Sequence, residues 1–233
     1  MIENIEFVKE HYTEQINALN GFIKDAYPYL PNKDNSQVRF GGGTALAIYY
    51  FQHRLSFDIN LFVTDQQVMS YLSPKHWLEE AVEFNNTNYV DLNNHIRVLF
   101  LKNNIKVDIL VSENPSKEGL TDNSKELFVS DVYVESLEDI ISKKIVYRRK
   151  DNLTRDIIDI AISIKFADNA LKRLFETKLI TLLDIQELYN ALEKLDFETF
   201  SEELEIVKPF KKYMKTAIEA PFIIKKECLK ILN

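Results

Sequence analysis

A chain of 233 residues, 45% hydrophobic and 28% charged, is long enough to bury its own core and lies far from the composition of a disordered segment. Its single cysteine, Cys228, excludes an intramolecular disulfide and a cysteine-based zinc cluster, and a net charge of −7 excludes a surface basic all over while leaving room for a local basic face. The acidic start Met1-Ile2-Glu3-Asn4-Ile5-Glu6 lacks the basic flank and apolar core of a signal peptide, and no apolar run is long enough to cross a bilayer, so the expected location is the cytoplasm, with no membrane partner.

In chain order, Ile5, Val8, Ile16, Leu19, Phe22 and Ile23 recur at helical spacing and predict an opening helix over 5–27, ended by Pro28 and Pro31. Residues 37–40 read as a short strand leading into Gly41-Gly42-Gly43, three of only 5 glycines in the chain, and 44–52 as a helix. Residues 57–63 alternate apolar and polar with one exception at Phe62, so they predict a strand whose Asp58 and Asn60 share a face. Helices over 66–72 and 76–84 are separated by Ser73-Pro74. Strands follow at 89–92, 95–101 and 105–111, the last two joined by a tight turn at Asn103-Asn104, then a polar loop over 114–125 and a short strand at 132–134. From Ser136 onward the patterning is helical. A first helix runs to about Arg149, and Asp151 or Asn152 caps a second with the stripe Ile157, Ile160, Ala161 and Ile164. Residues 171–175, 180–195 and 218–232 are also helical, with Pro209 and Pro221 as breaks. This divides the chain into an α/β domain, 1–135, and a helical domain, 136–233.

Transfer of a phosphoryl or nucleotidyl group needs backbone donors for phosphate oxygens and carboxylates for a divalent cation, because the transition state spreads negative charge over several oxygens. Gly42-Gly43-Thr44, between a strand and a helix, offers amides and the Thr44 hydroxyl to a phosphate, although a plain tight turn explains the glycines equally well. Asp58 and Asn60 project from the next strand. Asp108 projects from the apolar run Val107-Asp108-Ile109-Leu110-Val111, where an unpaired carboxylate is costly. A metal would relieve that cost, and so would an ion pair with Arg54, Lys106 or Arg97. Together these residues make the parts list of a two-metal site. His53 and His95 are isolated and lack paired ligand spacing, which predicts hydrogen-bonded structural histidines.

The segment Gly42-Gly43-Thr44-Ala45-Leu46-Ala47, continued by His53-Arg54-Leu55-Ser56-Phe57-Asp58-Ile59-Asn60-Leu61-Phe62, resembles the first motif of the AbiEii family of nucleotidyltransferase-like toxins, part of the DNA polymerase β-type nucleotidyltransferase superfamily. Lys106-Val107-Asp108, Asp139 with Lys144, and Arg155-Asp156 with Asp159 resemble its later motifs, so the likeness spans about 40–165. It implies a bacterial α+β protein, a nucleotidyltransferase-like mixed sheet flanked by helices and followed by a C-terminal helical bundle. It further implies that Gly42, Gly43 and Thr44 hold the triphosphate and that Asp58 and its neighbour two residues on bind magnesium or manganese. Asp108 would complete the metal site and help deprotonate the acceptor hydroxyl. Lys144 would neutralise phosphate charge, with Asp156 and Asp159 orienting that lysine or completing the cleft. The stretch Lys143, Lys144, Arg148, Arg149, Lys150 is an independent reason for a basic wall, and a solvated helix face explains every member but Lys144 equally well.

The activity implied is transfer of a nucleoside monophosphate from a nucleoside triphosphate to an acceptor, RNA and the 3′ end of transfer RNA among the candidates. The implied role is that of a growth-arresting toxin with a cognate antitoxin. One departure stands out. Position 60 is normally a second acid in this family, and asparagine supplies an oxygen without the charge that holds a hard cation. Asp65 lies downstream as a conceivable substitute. The alternatives are therefore a catalytically impaired nucleotide- or RNA-binding protein that keeps the fold, and a partner-interaction protein working through its helical domain.

Overall fold

The computed structural model describes residues 2–78, 84–100 and 104–233. By contact the chain falls into two compact units, Met1–Tyr50 with Ser56–Ser136, and Phe51–Leu55 with Leu137–Asn233.

The first unit opens with α1 (Ile5–His11) and α2 (Thr13–Ala26). The single opening helix expected from periodicity is two, because the fully buried Tyr12 leaves helical geometry at φ −122, ψ 21. Then come β1 (Arg39–Gly41) and α3 (Gly42–Leu46), which runs into a π-helical turn over Ala47–Phe51, followed by β2 (Ile59–Val63) and α4 (Gln66–Tyr71). The remaining strands are β3 (Phe84–Leu92), β4 (His95–Phe100), β5 (Ile105–Val111), β6 (Gly119–Asp122) and β7 (Val132–Glu135). Of the helix expected over 76–84, Pro74–His76 forms a 3-10 turn and residues 79–83 lie outside the described residues, as does Asn103 of the expected turn. β6 falls inside the expected polar loop. It is mostly exposed and lacks apolar alternation, so only its pairing with β7, Leu120 opposite Val134, reveals it.

The strands form one mixed sheet in the order β3-β4-β5-β2-β1-β7-β6, with β2/β5 and β1/β7 parallel and the other pairs antiparallel. Ile59, Leu61, Val63, Ile96, Val98, Val107 and Ile109 are buried, and α2 and α4 pack on β5. The helical spacing of Ile16, Leu19, Phe22 and Ile23 supplies the apolar side of α2, and the Phe22 ring meets Trp77 edge-on at 5.5 Å. Each such side chain contributes about 1.5–3 kcal/mol by leaving water. The alternate positions of β2, β5 and β4 carry Asn60, Asp108 and Arg97, and the sheet thereby offers one polar row to a ligand.

In the second unit, α5 (Leu137–Arg148), α6 (Thr154–Phe166), α7 (Ala170–Glu176), α8 (Leu182–Glu193), α9 (Phe197–Val207), α10 (Met214–Ile218) and α11 (Ala220–Leu232) follow in order. α6 packs against α5, α7, α9, α10 and α11. Residues 156–163 of it are buried without a break, so burial surrounds the helix and exceeds the one stripe expected. Its N-cap is Leu153 and no side chain caps it, since Asn152 instead donates to the Ala191 carbonyl at 2.8 Å. Pro221, expected as a break, sits in the first turn of α11, where no N–H is needed. Among the described residues no helix is long and apolar enough to cross a membrane.

Candidate nucleotide and metal site

Gly41 ends β1 in register with Asn60 of β2, and Gly42 then takes φ +71. A Cβ at Gly42 would stand 2.8 Å from Asn60 Nδ2, so backbone geometry and the neighbouring amide both require glycine here. Gly42 and Gly43 are half-buried, whereas Thr44 is fully buried. The Thr44 hydroxyl is hydrogen-bonded to Ser56 Oγ at 2.9 Å and donates to the Asp58 carbonyl at 2.5 Å. This revises the phosphate role expected of that hydroxyl. It is spent on fixing the backbone at Asp58, which leaves the turn's amides for an anion.

β2 starts at Ile59, so Asp58 stands just before the strand and is half-buried. Asn60 lies opposite Asp108 in the parallel β2/β5 pair, and Asp108 lies opposite Arg97 in the antiparallel β5/β4 pair. The Arg97 fork grips both oxygens of Asp108, Nε to Oδ1 at 2.7 Å and Nη2 to Oδ2 at 3.1 Å, and His95 Nε2 meets Oδ1 at 2.7 Å. The buried carboxylate is thus relieved by Arg97 and His95, a partnership that Arg54 and Lys106 do not share. The Arg97 pKa is raised by its hydrogen bond to Asp108 against the opposing effect of burial, with the charges of Asp108 and Asp58 adding to the rise. Two carboxylates therefore act on one guanidinium.

The Asp58 carboxylate and the Asn60 amide oxygen are hard oxygen donors, of the kind that would suit one divalent cation such as magnesium or manganese. A second cation does not fit at Asp108, whose oxygens already serve a guanidinium and an imidazole. Among the described residues no three His, Cys, Asp or Glu side chains gather into a metal-holding group. Asp65 does not replace the missing acid, because it caps α4 through the Gln67 amide at 2.7 Å.

A second cluster lies wholly in the helical unit. Asp159, fully buried in α6, receives Arg54 Nε and Nη2, each at 2.7 Å, and pairs with His53 Nε2 at 2.7 Å. Lys144 of α5 reaches Asp156 at 2.5 Å and Asp159 at 2.9 Å. Burial alone would raise the Asp159 pKa, yet the charges of Arg54 and Lys144 and the bonds from His53 and Arg54 hold it well below the usual carboxylate range. Asp156 is likewise lowered by Lys144 and Arg148 against burial. Burial pushes the His53 pKa down despite Asp159, so its Nε2–H donates as neutral imidazole. The rest of the basic stretch is also paired. Arg149 binds Glu187 at 2.7 Å and Asp184 at 3.2 Å, Lys150 binds Glu187 at 2.7 Å, and Arg148 binds Asp156 at 3.3 Å. These pairs tie α5 to α6, and the turn after α5 to α8. Asp58, Asn60 and Asp108 lie in the first unit, with Asn60 in register with Asp108, and Lys144, Asp156 and Asp159 form a cluster in the second. Sequence reading names Arg97 beside Arg54 and Lys106 as a candidate partner of Asp108 and expects His95 to be hydrogen-bonded, but it does not connect His95 with Asp108. The signal was the period of two of His95 and Arg97 on β4, visible only once the register is known.

Residues 30–220 match the family described as nucleotidyl transferase AbiEii toxin, Type IV TA system. The chain belongs to the AbiEii family. MenT4, a nucleotidyltransferase toxin from Mycobacterium tuberculosis H37Rv, is similar over 99% of this chain and 99% of its own, at 15% identity and a TM-score of 0.51. JHP933 from Helicobacter pylori is similar over 95% of this chain and 93% of its own, at 13% identity and a TM-score of 0.47. No protein of curated function matches the chain. The likeness to MenT4 shows the fold expected from the sequence, a nucleotidyltransferase-like mixed sheet with helices and a C-terminal helical region.

Proposed function

We propose that this AbiEii protein transfers a nucleoside monophosphate from a nucleoside triphosphate to an acceptor hydroxyl, with RNA, including the 3′ end of transfer RNA, as the acceptor class. The observation that carries the reading is the register of Asn60 against Asp108, with the Asp58 carboxylate just ahead of them and the Gly42 turn packed on Asn60. In this reading the amides of the half-buried Gly42 and Gly43 receive phosphate oxygens, with Thr44 fixing the turn from inside, and Asp58 with Asn60 holds magnesium. Bound magnesium supplies charge neutralisation on the phosphates. Asp108 completes the site through Arg97. A toxin role with a cognate antitoxin follows from the family.

A second reading, a silent nucleotide- or RNA-binding protein, is favoured by the neutral Asn60. The two are separated by incubating the protein with each α-labelled nucleoside triphosphate, magnesium or manganese, and total RNA. Asp58-dependent movement of label into RNA supports transfer. Triphosphate binding without any transfer supports the silent reading, and no binding at all removes both.

A further inference from the structure

We infer that Arg97 is a built-in cation of the nucleotide site: its guanidinium replaces a second divalent ion beside Asp108 and contacts the triphosphate, so the centre works with one metal ion. This rests on the proposed nucleotidyl-transfer reading and deepens it. Three observations carry it. The Arg97 fork and His95 occupy both oxygens of Asp108. The row Asn60, Asp108, Arg97 is continuous across β2, β5 and β4, which sets the guanidinium in register with the proposed cation ligands. The Arg97 side chain is also 41% exposed although its partner Asp108 is 10% exposed, so N–H donors beyond the two spent on Asp108 remain open to solvent.

Charge explains why Asn60 and Arg97 belong together. A site with an acid at position 60 and a bare Asp108 concentrates negative charge that calls for two divalent ions. Asn60 removes one negative charge and Arg97 adds one positive charge, so a single divalent ion with a triphosphate is enough. The planar fork suits the task, since it can hold a carboxylate on one edge and phosphate oxygens on another.

The test counts manganese by electron paramagnetic resonance in the full chain, titrated with a non-hydrolysable nucleoside triphosphate analogue, alongside calorimetric affinity for that analogue. We expect one manganese ion per wild-type chain. Arg97→Gln should weaken analogue binding by about tenfold or more, the loss of a charge-assisted contact, and admit a second manganese ion at the freed Asp108. Arg97→Lys, which keeps the charge if Arg97→Gln does not fold, should retain one. Two manganese ions in the wild-type or Arg97→Lys chain, or unchanged analogue affinity in Arg97→Gln, would overturn the inference alone. Absence of any analogue binding by the wild type would instead overturn the nucleotidyl-transfer reading, and this inference with it.

Discussion

At the scale of single residues, the proposed site rests on a glycine held at positive φ and on an asparagine packed against it. Gly42→Ala forces an alanine into the left-handed region, costing about 1–2 kcal/mol, and drives its methyl toward Asn60. The expected result is a lower melting temperature together with weaker triphosphate binding; unchanged nucleotide affinity would mean the turn does not meet the phosphates. Asn60→Asp restores the family's second acid beside Asp108. It should raise manganese affinity and increase turnover, read by calorimetry and label transfer. An unaltered manganese affinity would show that position 60 is not a ligand.

At the scale of elements, α6 carries two carboxylates into the interior of the helical unit, and only the ion partners make that tolerable. Asp159→Asn leaves the buried Arg54 without its carboxylate, while Lys144 keeps Asp156, and should cost about 3–5 kcal/mol by urea titration followed by circular dichroism. Lys144→Ala removes one partner from each of Asp156 and Asp159 and should cost less, since Arg148 remains on Asp156 and Arg54 with His53 on Asp159. The pH dependence has a definite sign. The folded pKa of Asp159 lies below its ordinary 3.8, so its contribution is full above that value and disappears as acid drives the pH toward the folded pKa. His53 is lowered from 6.5, so the unfolded chain takes up its proton first and stability already begins to fall below about pH 6.5. Melting temperatures between pH 8 and 3 should therefore decline in two stages, and His53→Gln should flatten the first. A profile level from pH 8 to 4 would contradict this account of the buried cluster.

Across the whole molecule, what was legible in the sequence was what local spacing encodes. The strand periodicity around Asp58 and Asp108, the glycine turn and the shift to helical patterning after Ser136 all follow from rules of period and composition, and the motif residues led to AbiEii. What was not legible depends on register and on distant partners. Arg97 finds Asp108 only through strand pairing, and the Thr44 hydroxyl turns inward because Ser56 and the Asp58 carbonyl are there to receive it. β6 has no apolar signature, and the basic stretch after Lys143 is neutralised by acids on α8 and α6 that spacing along one helix cannot reveal. The central claim is that the glycine turn and Asp58 form one metal-triphosphate site. Its most direct test is a calorimetric titration of each nucleoside triphosphate with magnesium into the wild type and Asp58→Asn at one salt concentration. The account predicts that the wild type binds and that Asp58→Asn loses about tenfold or more in affinity with its melting temperature unchanged; equal affinity in the two proteins would contradict it.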